Sequence, residues 1–254
     1  MLPDNIIQLF HQHQNLLWLL TVTADLGITL LLYRLFGKIG LYVIIVLNVM
    51  LCNLQGPKLT MIFGVQTSLG LILYSGIYFA TDLLSEKYGK REAGRAVLAG
   101  FAASVIIVIM MSISLMFLPS LETEQREFAA SIHNALKQLF DFTPRFVFGS
   151  LAVYLVSQSL DVWIFHYLKR KTHGKHLWLR NNVSTITSQA VDTALYSVIV
   201  WWAIVPLETA FQLALAKYAF KVVIALVDTP FIYWAKNWDV EHRDWHEKKH
   251  CLYW

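Results

Sequence analysis

The sequence predicts an all-α integral membrane protein from its composition, its apolar segments and the placement of its cations. Of its 254 residues, 56% are hydrophobic and only 15% are charged, whereas about 25% are charged in a typical soluble domain. The chain has too few charges to cover a soluble surface and is too apolar to be disordered. Two cysteines, Cys52 and Cys251, are too few for a disulfide framework.

Seven segments approach or reach the roughly 20 apolar residues that a membrane-spanning helix needs. No linker divides the chain, so we expect one transmembrane domain over residues 1–254, and the N-terminus lacks the basic region of a cleavable signal peptide. In the long connection 119–145, apolar residues recur at helical spacing and predict an amphipathic surface helix over 129–142. The predicted spans are residues 16–33, 39–55, 61–84, 96–118, 146–168, 183–205 and 211–235.

The Lys and Arg residues outside these segments predict the orientation of the chain. Fifteen of them lie in one set of alternate connections together with the C-terminal tail, and four lie in the other set. Cytoplasmic loops carry the excess of Lys and Arg in membrane proteins. We therefore expect a cytoplasmic C-terminus and a periplasmic N-terminus.

Ionisable and amide side chains occur inside the predicted spans, where lipid makes them costly. A repeated Ser-Gln-x-x-Asp pattern places Gln158 with Asp161, and Gln189 with Asp192, on one helix face each. At about 1.5 Å per residue, Asp161, Asp192 and Asp228 are expected about 10–14 Å from the same membrane surface. These side chains predict a polar cavity in the inner half of the bundle; the alternative is that they only hold the helices together.

Lys221 is predicted to lie near the membrane midplane, where a lysine needs a partner. Asp228 is two turns away on the same helix. Asp82, Asp161 or Asp192 from a neighbouring helix is therefore the expected partner.

Five polar blocks follow one another in a specific order. Together they resemble the queuosine-precursor transporter family of bacterial inner membranes, and the resemblance covers about residues 41–236. The blocks are Asn-Leu-Gln-Gly-Pro-Lys at 53–58, Thr-Asp-Leu-Leu-Ser-Glu at 81–86, Ser-Gln-Ser-Leu-Asp at 157–161, Ser-Gln-Ala-Val-Asp at 188–192 and Leu-Val-Asp-Thr-Pro at 226–230.

This resemblance implies a six-helix transporter core over residues 39–236, preceded by an extra N-terminal transmembrane helix at 15–36 and followed by a cytoplasmic tail at 237–254. It also implies uptake of 7-cyano- or 7-aminomethyl-7-deazaguanine, or of queuine. A carboxylate or amide can pair with the guanine-like edge of such a base, and aromatic rings can stack on it. The expected aromatic candidates are Trp163, Tyr196, Trp201, Tyr218 and Tyr233. The expected substrate-binding residues are Asn53, Lys58, Asp82, Glu86, Gln158, Asp161, Gln189, Asp192, Lys221 and Asp228.

Other functional classes are less well supported by the sequence. No HExxH, GxSxG or Walker A motif occurs, so we expect no enzyme, no cofactor and no nucleic-acid partner. The partners expected are a small base and membrane lipids. His242, His246 and His250 recur every fourth residue, but the acidic residues between them favour a solvated helix over a metal site. Two alternatives remain open: a membrane subunit that needs a separate ATPase, and an intramembrane enzyme with paired carboxylates.

Overall fold

The structure, a computed structural model, describes residues 4–56, 58–120, 125–140, 144–201 and 207–240. This part of the chain consists of helices and one short β-hairpin. The helices are α1 (Asp4–Gln12), α2 (Gln14–Phe36), α3 (Lys38–Gln55), α4 (Tyr74–Lys87), α5 (Lys90–Ser114), α6 (Arg126–Phe140), α7 (Pro144–Lys171), α8 (Leu177–Tyr196) and α9 (Leu207–Lys236); the hairpin strands are β1 (Leu59–Ile62) and β2 (Val65–Ser68).

The predicted fold class is confirmed. Within the described residues, α2, α3, α5 and the part of α7 from Phe148 to Lys171 are long and apolar enough to cross a membrane. Helices α8 and α9, with 20 and 30 residues, have a comparable or greater length but carry more polar side chains. Exposed leucines, isoleucines and valines on α2, α3 and α5 provide the apolar surface that lipid requires. The chain is a multi-pass, all-α membrane protein.

The predicted continuous helix over residues 61–84 is wrong in its first half. Strands β1 and β2 pair there as an antiparallel hairpin, with Ile62 opposite Val65. Phe63 and Gly64 form the turn with positive φ angles of 50° and 75°, which a right-handed helix does not contain. A short 3₁₀ turn then leads into α4, whose 14 residues extend only about 21 Å. The bundle is therefore open beside the hairpin, where a full-length helix was expected.

Contacts between helix ends place most of the basic residues at one end of the bundle, which we call the basic end. Lys38 at the start of α3 pairs with Glu92 of α5 at 3.2 Å. Lys87 of α4 donates to the backbone carbonyls of Lys236 and Trp238 at 3.1 and 2.8 Å. The opposite end carries the hairpin, and we call it the hairpin end. The side of the membrane that each end faces stays a prediction.

Surface helix α6 matches the amphipathic segment predicted at 129–142, and none of its residues is buried. Its last predicted residues, 141 and 142, lie outside the described residues, as does the tail from 241 onward with its three histidines and Cys251. Residues 202–205 of the sixth predicted span lie outside the described part as well. Helix α1 was not predicted from the sequence.

Helix α2 is joined to the bundle by a buried carboxylate. Asp25 is 5% exposed and accepts from the Asn48 amide of α3 at 2.7 Å and from the Ser75 hydroxyl of α4 at 2.8 Å. It also accepts from the backbone N–H of Gly76 at 2.8 Å. This N–H lies in the first turn of α4, where it has no partner within the helix. Asp25 therefore caps α4 from a different helix.

We expect Gly76→Ala to destabilise the protein by about 1–3 kcal/mol, the usual cost of overpacking. A Cβ atom at this position would collide with the Asn48 amide and both Asp25 carboxylate oxygens. Thermal unfolding in detergent measures the effect. The matched control is Gly27→Ala on α2, where a Cβ has nothing within 4 Å. An equal melting temperature for the two variants would contradict the role of Asp25 as a cap.

Candidate functional site

A cavity of about 250 Å³ opens in the half of the bundle nearer the hairpin end. Its walls are formed by the ends of α3 and α8, the hairpin, the starts of α4 and α7 and the first half of α9. Its polar and aromatic lining includes Asn53, Tyr74, Asp192, Tyr196, Lys217 and Lys221.

The segment that connects the hairpin to α4 packs against the end of α3 and forms one wall of this cavity. The Ser68 hydroxyl donates to the backbone carbonyl of Gly56 at 2.7 Å, and the Cys52 thiol donates to that of Gly70 at 3.1 Å. A Cβ on Gly70 would lie 2.7 Å from the Cys52 carbonyl oxygen, so only glycine allows this approach. The hairpin is thereby held against the end of α3, and Tyr74 at the start of α4 reaches the cavity wall.

An ion pair between α8 and α9 forms the inner side of the cavity. Lys221 donates directly to Oδ2 of Asp192, and each side chain is 7% exposed. The other oxygen, Oδ1, accepts from the Ser157 hydroxyl of α7 at 3.1 Å. The Lys221 ammonium also lies 5.0 Å from the centre of the Tyr74 ring. The prediction that Lys221 pairs with a carboxylate from a neighbouring helix is confirmed, and the partner is Asp192.

A second lysine of α9 reaches the cavity one turn nearer the hairpin end. The Lys217 ammonium lies 4.9 Å from the centre of the Tyr196 ring. Together with Asn53, Tyr74 and the Asp192–Lys221 pair, these groups offer hydrogen-bond donors, a carboxylate acceptor and two aromatic rings. A flat ligand with both donors and acceptors on its edge fits this chemistry.

A narrow extension continues from the cavity toward the basic end. Its volume is about 10 Å³, and Gln189, Lys221 and Asp228 are among its lining residues. The Asn181 amide of α8 donates to Asp228 at 2.9 Å. Gln189 and Asp228 are 2% and 1% exposed. These two predicted site residues therefore lie just beyond the cavity, beside a space about the size of one water molecule.

Three predicted site residues pack deeper between α4, α7 and α8. Asp82, Gln158 and Asp161 are each 0% exposed. Asp82 accepts from the Thr185 hydroxyl at 3.2 Å, and Asp161 accepts from the Ser188 hydroxyl at 3.1 Å. None of the three lines the cavity.

Glu86 lies at the basic end, where it joins three helices. Its carboxylate accepts from Arg180 of α8 at 2.7 Å and forms an ion pair with Lys169 of α7 at 3.1 Å. Arg180 is 1% exposed and also donates to the backbone carbonyls of Gly174 and Lys175 at 3.0 and 2.9 Å. We call this group the Glu86 clasp. Lys58, by contrast, is exposed beside the hairpin and does not line the cavity.

The prediction that Asp161, Asp192 and Asp228 lie at one depth in the bundle is wrong. Helix α8 begins at Leu177, so Asp192 lies 15 residues, or about 22 Å, from its start. Asp161 and Asp228 lie ten and eight residues from the ends of their helices, about 15 and 12 Å. Asp192 therefore faces the hairpin-end cavity, whereas the other two carboxylates lie nearer the basic end.

Among the predicted aromatic candidates, Tyr196 lines the cavity. Trp163 is 50% exposed and stacks on Tyr167. The Tyr218 hydroxyl donates to a backbone carbonyl of α8, and the Tyr233 hydroxyl accepts from the backbone N–H of Trp178. The side chain of Trp201 lies outside the described part.

Tyr74 and Lys217 were not among the predicted site residues. The position of Tyr74 depends on the hairpin, which hydropathy did not indicate. Lys217 lies one turn from Lys221 on the same helix, and that i, i+4 spacing is the signal in the sequence that indicates it.

Comparisons with known proteins agree with the resemblance seen in the sequence. Residues 68–235 match a family model described as "Putative vitamin uptake transporter". The "Probable queuosine precursor transporter" of Bacillus subtilis (strain 168) is 34% identical over 224 residues, which cover 88% of this chain and 95% of that protein. The chain belongs to the queuosine precursor transporter family. A second family member, the "Queuosine precursor transporter" of Escherichia coli (strain K12), is 29% identical over 169 residues, 65% of this chain and 71% of that protein. No solved structure matches the chain.

The family model spans the chain from the end of the hairpin to the last turn of α9. It therefore includes most of the cavity wall and all of the deeper acidic residues. The names of the relatives describe transport rather than catalysis.

Proposed function

We propose that this transporter imports a 7-deazaguanine base, a precursor of queuosine, across a bacterial inner membrane. Both relatives are named for queuosine precursors. In this proposal the hairpin end faces the periplasm and the basic end, with the C-terminus, faces the cytoplasm, as the distribution of Lys and Arg favours.

The observation that carries the proposal is the Asp192–Lys221 pair on the wall of a small cavity with aromatic sides. Pockets for drug-sized ligands measure about 300–1,000 Å³, and a cavity of about 250 Å³ suits a single bicyclic base. The guanine-like edge of a deazaguanine presents two N–H donors beside a carbonyl acceptor. The Asp192 carboxylate is suited to accept from the donors, and a lysine is suited to donate to the carbonyl.

The predicted binding residues take three different positions in this proposal. Asn53, Asp192 and Lys221 contact the base in the cavity. Gln189 and Asp228 lie in the narrow extension, on the route toward the basic end. The remaining five do not touch the bound base and act instead on its passage through the bundle or on the opening of the two ends. They are Lys58, Asp82, Glu86, Gln158 and Asp161.

A titration with purified protein tests the proposed substrate class. Calorimetry with 7-cyano-7-deazaguanine, 7-aminomethyl-7-deazaguanine, queuine and guanine should give measurable binding for at least one 7-substituted base and weaker binding for guanine. Counterflow exchange of that base in proteoliposomes that contain no other protein should then show transport. Absence of binding to all three precursors would contradict the proposal, and exchange that needs an added ATPase would favour the two-component alternative.

We expect Tyr196→Ala to weaken binding of the base by about tenfold or more, since stacking on an aromatic ring contributes about 1–3 kcal/mol per base. Tyr196→Phe keeps the ring and is the matched control, with affinity close to that of the unchanged protein. The dissociation constants from calorimetry measure both effects. Equal losses in the two variants would show that the hydroxyl, and not the stacking surface, is what matters at this position.

A further inference from the structure

Two carboxyl groups meet in the interior between α4 and α7. The side chains of Asp82 and Asp161 are both 0% exposed and meet at one face of α8, where they accept from hydroxyl groups one helical turn apart. Two carboxylates in one buried site cannot both be ionised, because like charges at this distance repel strongly. The pair therefore needs a proton between its oxygens or a cation beside them.

No lysine, arginine or histidine within the described residues forms an ion pair with either carboxyl. Their partners are hydroxyl groups of α8, from Thr185 and Ser188. Asp228 of α9 adds a third buried carboxyl nearby. The surrounding charged groups on α4, α7, α8 and α9 are the Glu86 clasp toward the basic end and the Asp192–Lys221 pair toward the hairpin end.

A second observation at the pair is an unsatisfied amide. Gln158 precedes Asp161 by three residues, so both lie on one face of α7. Its side chain is 0% exposed, and neither its Nε2 nor its Oε1 has a hydrogen-bond partner among the described residues. Buried amides without partners are rare and costly. This one leaves a donor and an acceptor available beside the carboxyl pair.

A series of hydroxyl groups leads from the carboxyl pair to the cavity. Ser188 donates to Asp161, and Ser157 donates to Asp192 on the cavity wall. The Tyr78 side chain, 2% exposed, lies beside both serines, and its hydroxyl forms no hydrogen bond with the described residues. Each of these hydroxyl groups can both donate and accept, so rotation of the Tyr78 and serine hydroxyls completes a series along which protons can pass.

We infer that the Asp82–Asp161 pair is a proton-binding site, connected through Ser188, Tyr78 and Ser157 to the Asp192 carboxylate, and that it couples uptake to a proton gradient. This inference rests on the proposed function and deepens it by naming the driving ion. A proton enters from the cavity and reaches the carboxyl pair along the hydroxyl groups. It leaves toward the basic end when the Glu86 clasp opens, so that one proton crosses with the base.

Proteoliposomes that exchange 7-cyano-7-deazaguanine or 7-aminomethyl-7-deazaguanine provide the test. With an alkaline interior, the unchanged protein should accumulate the base about tenfold per pH unit at one proton per molecule, since one unit equals 1.36 kcal/mol. Tyr78→Phe and Asp161→Asn should both lose this accumulation. Exchange without a gradient should stay within about twofold in Tyr78→Phe, because this substitution keeps the aromatic ring and Tyr78 does not line the main cavity. The matched control is Glu127→Gln on α6, which should behave like the unchanged protein.

Accumulation driven by a sodium gradient, or unchanged proton-driven accumulation in both variants, would overturn the inference. A measurement without substrate separates its failure from failure of the proposed function. Infrared absorption of protonated carboxyl groups should be present in the unchanged protein at neutral pH and reduced in the double variant Asp82→Asn/Asp161→Asn. An undiminished signal in the double variant would place the proton elsewhere and reject the site, whether or not the base is transported.

Discussion

Lys221→Met is expected to lower the melting temperature by about 10 °C and to abolish uptake. The substitution leaves the Asp192 carboxylate, 7% exposed, without its cation. Removal of one partner from a buried pair costs about 3–5 kcal/mol, because the other charge stays buried and uncompensated. Scanning fluorimetry on purified protein and uptake of a deazaguanine into cells measure the two effects.

The double variant Asp192→Asn/Lys221→Met separates stability from function. Removal of both charges leaves no uncompensated ion, so most of the lost stability should return. Uptake should remain absent, because the cavity then lacks both its carboxylate and its adjoining ammonium. Lys137→Met, on exposed helix α6, is the control for removal of a lysine. A double variant that regains uptake would reduce the pair to a structural role.

Hydropathy predicts the helices correctly where apolar residues dominate. It does not predict the places where the backbone turns. Residues 61–84 are mainly apolar, so hydropathy alone does not distinguish a hairpin followed by a short helix from one long helix. The Phe63-Gly64 turn is the local signal that distinguishes them. A single glycine is a weak signal of this kind, because isolated glycines are also tolerated inside helices.

The start of α8 shows a second limit of hydropathy. The polar run at its beginning placed the predicted span at Val183, yet the helix begins at Leu177. Arg180 and Asn181 are 1% and 0% exposed, because neighbouring helices, and not lipid, surround them. Polar residues that pack against protein carry no lipid penalty. The predicted span therefore began too late in the sequence, and Asp192 was placed too near the basic end.

The candidate site was predictable in its chemistry and less so in its geometry. A lysine and an acid on adjacent helices follow from the cost of an unpaired charge in lipid, and the structure has Lys221 with Asp192. Which of three acids is the partner depends on helix starts and rotations that a single sequence does not specify. The contribution of Tyr74 depends on the hairpin, and was therefore missed together with it.

Glu86→Gln is expected to open the basic end of the transporter. The Glu86 clasp joins α4, α7 and α8 there, and Lys87 adds α9 through the carbonyls of Lys236 and Trp238. The cavity lies in the opposite half of the bundle, so the described conformation is closed at the basic end. Export of the base to that side requires these helix ends to separate.

The substitution removes the partner of Arg180, whose side chain is 1% exposed. The closed conformation should lose about 3 kcal/mol or more, which corresponds to roughly a hundredfold in a two-state equilibrium. Cys52 on the cavity wall reports the change once Cys251 is replaced by serine. In membrane vesicles that expose the basic end, an impermeant maleimide should label Cys52 slowly in the unchanged background and much faster in Glu86→Gln.

Glu92→Gln is the matched control, because Glu92 is also an ion-paired glutamate at the basic end. It joins Lys38 of α3 and Arg95 of α5 at 3.2 and 2.7 Å, away from the helices that the Glu86 clasp holds. Its removal should leave the labelling of Cys52 unchanged, because the ion pairs of Glu92 join only α3 and α5 and not the helices that the Glu86 clasp joins. Faster labelling in both variants would mean that any lost ion pair loosens this end, and slow labelling in both would show that the clasp is not the gate.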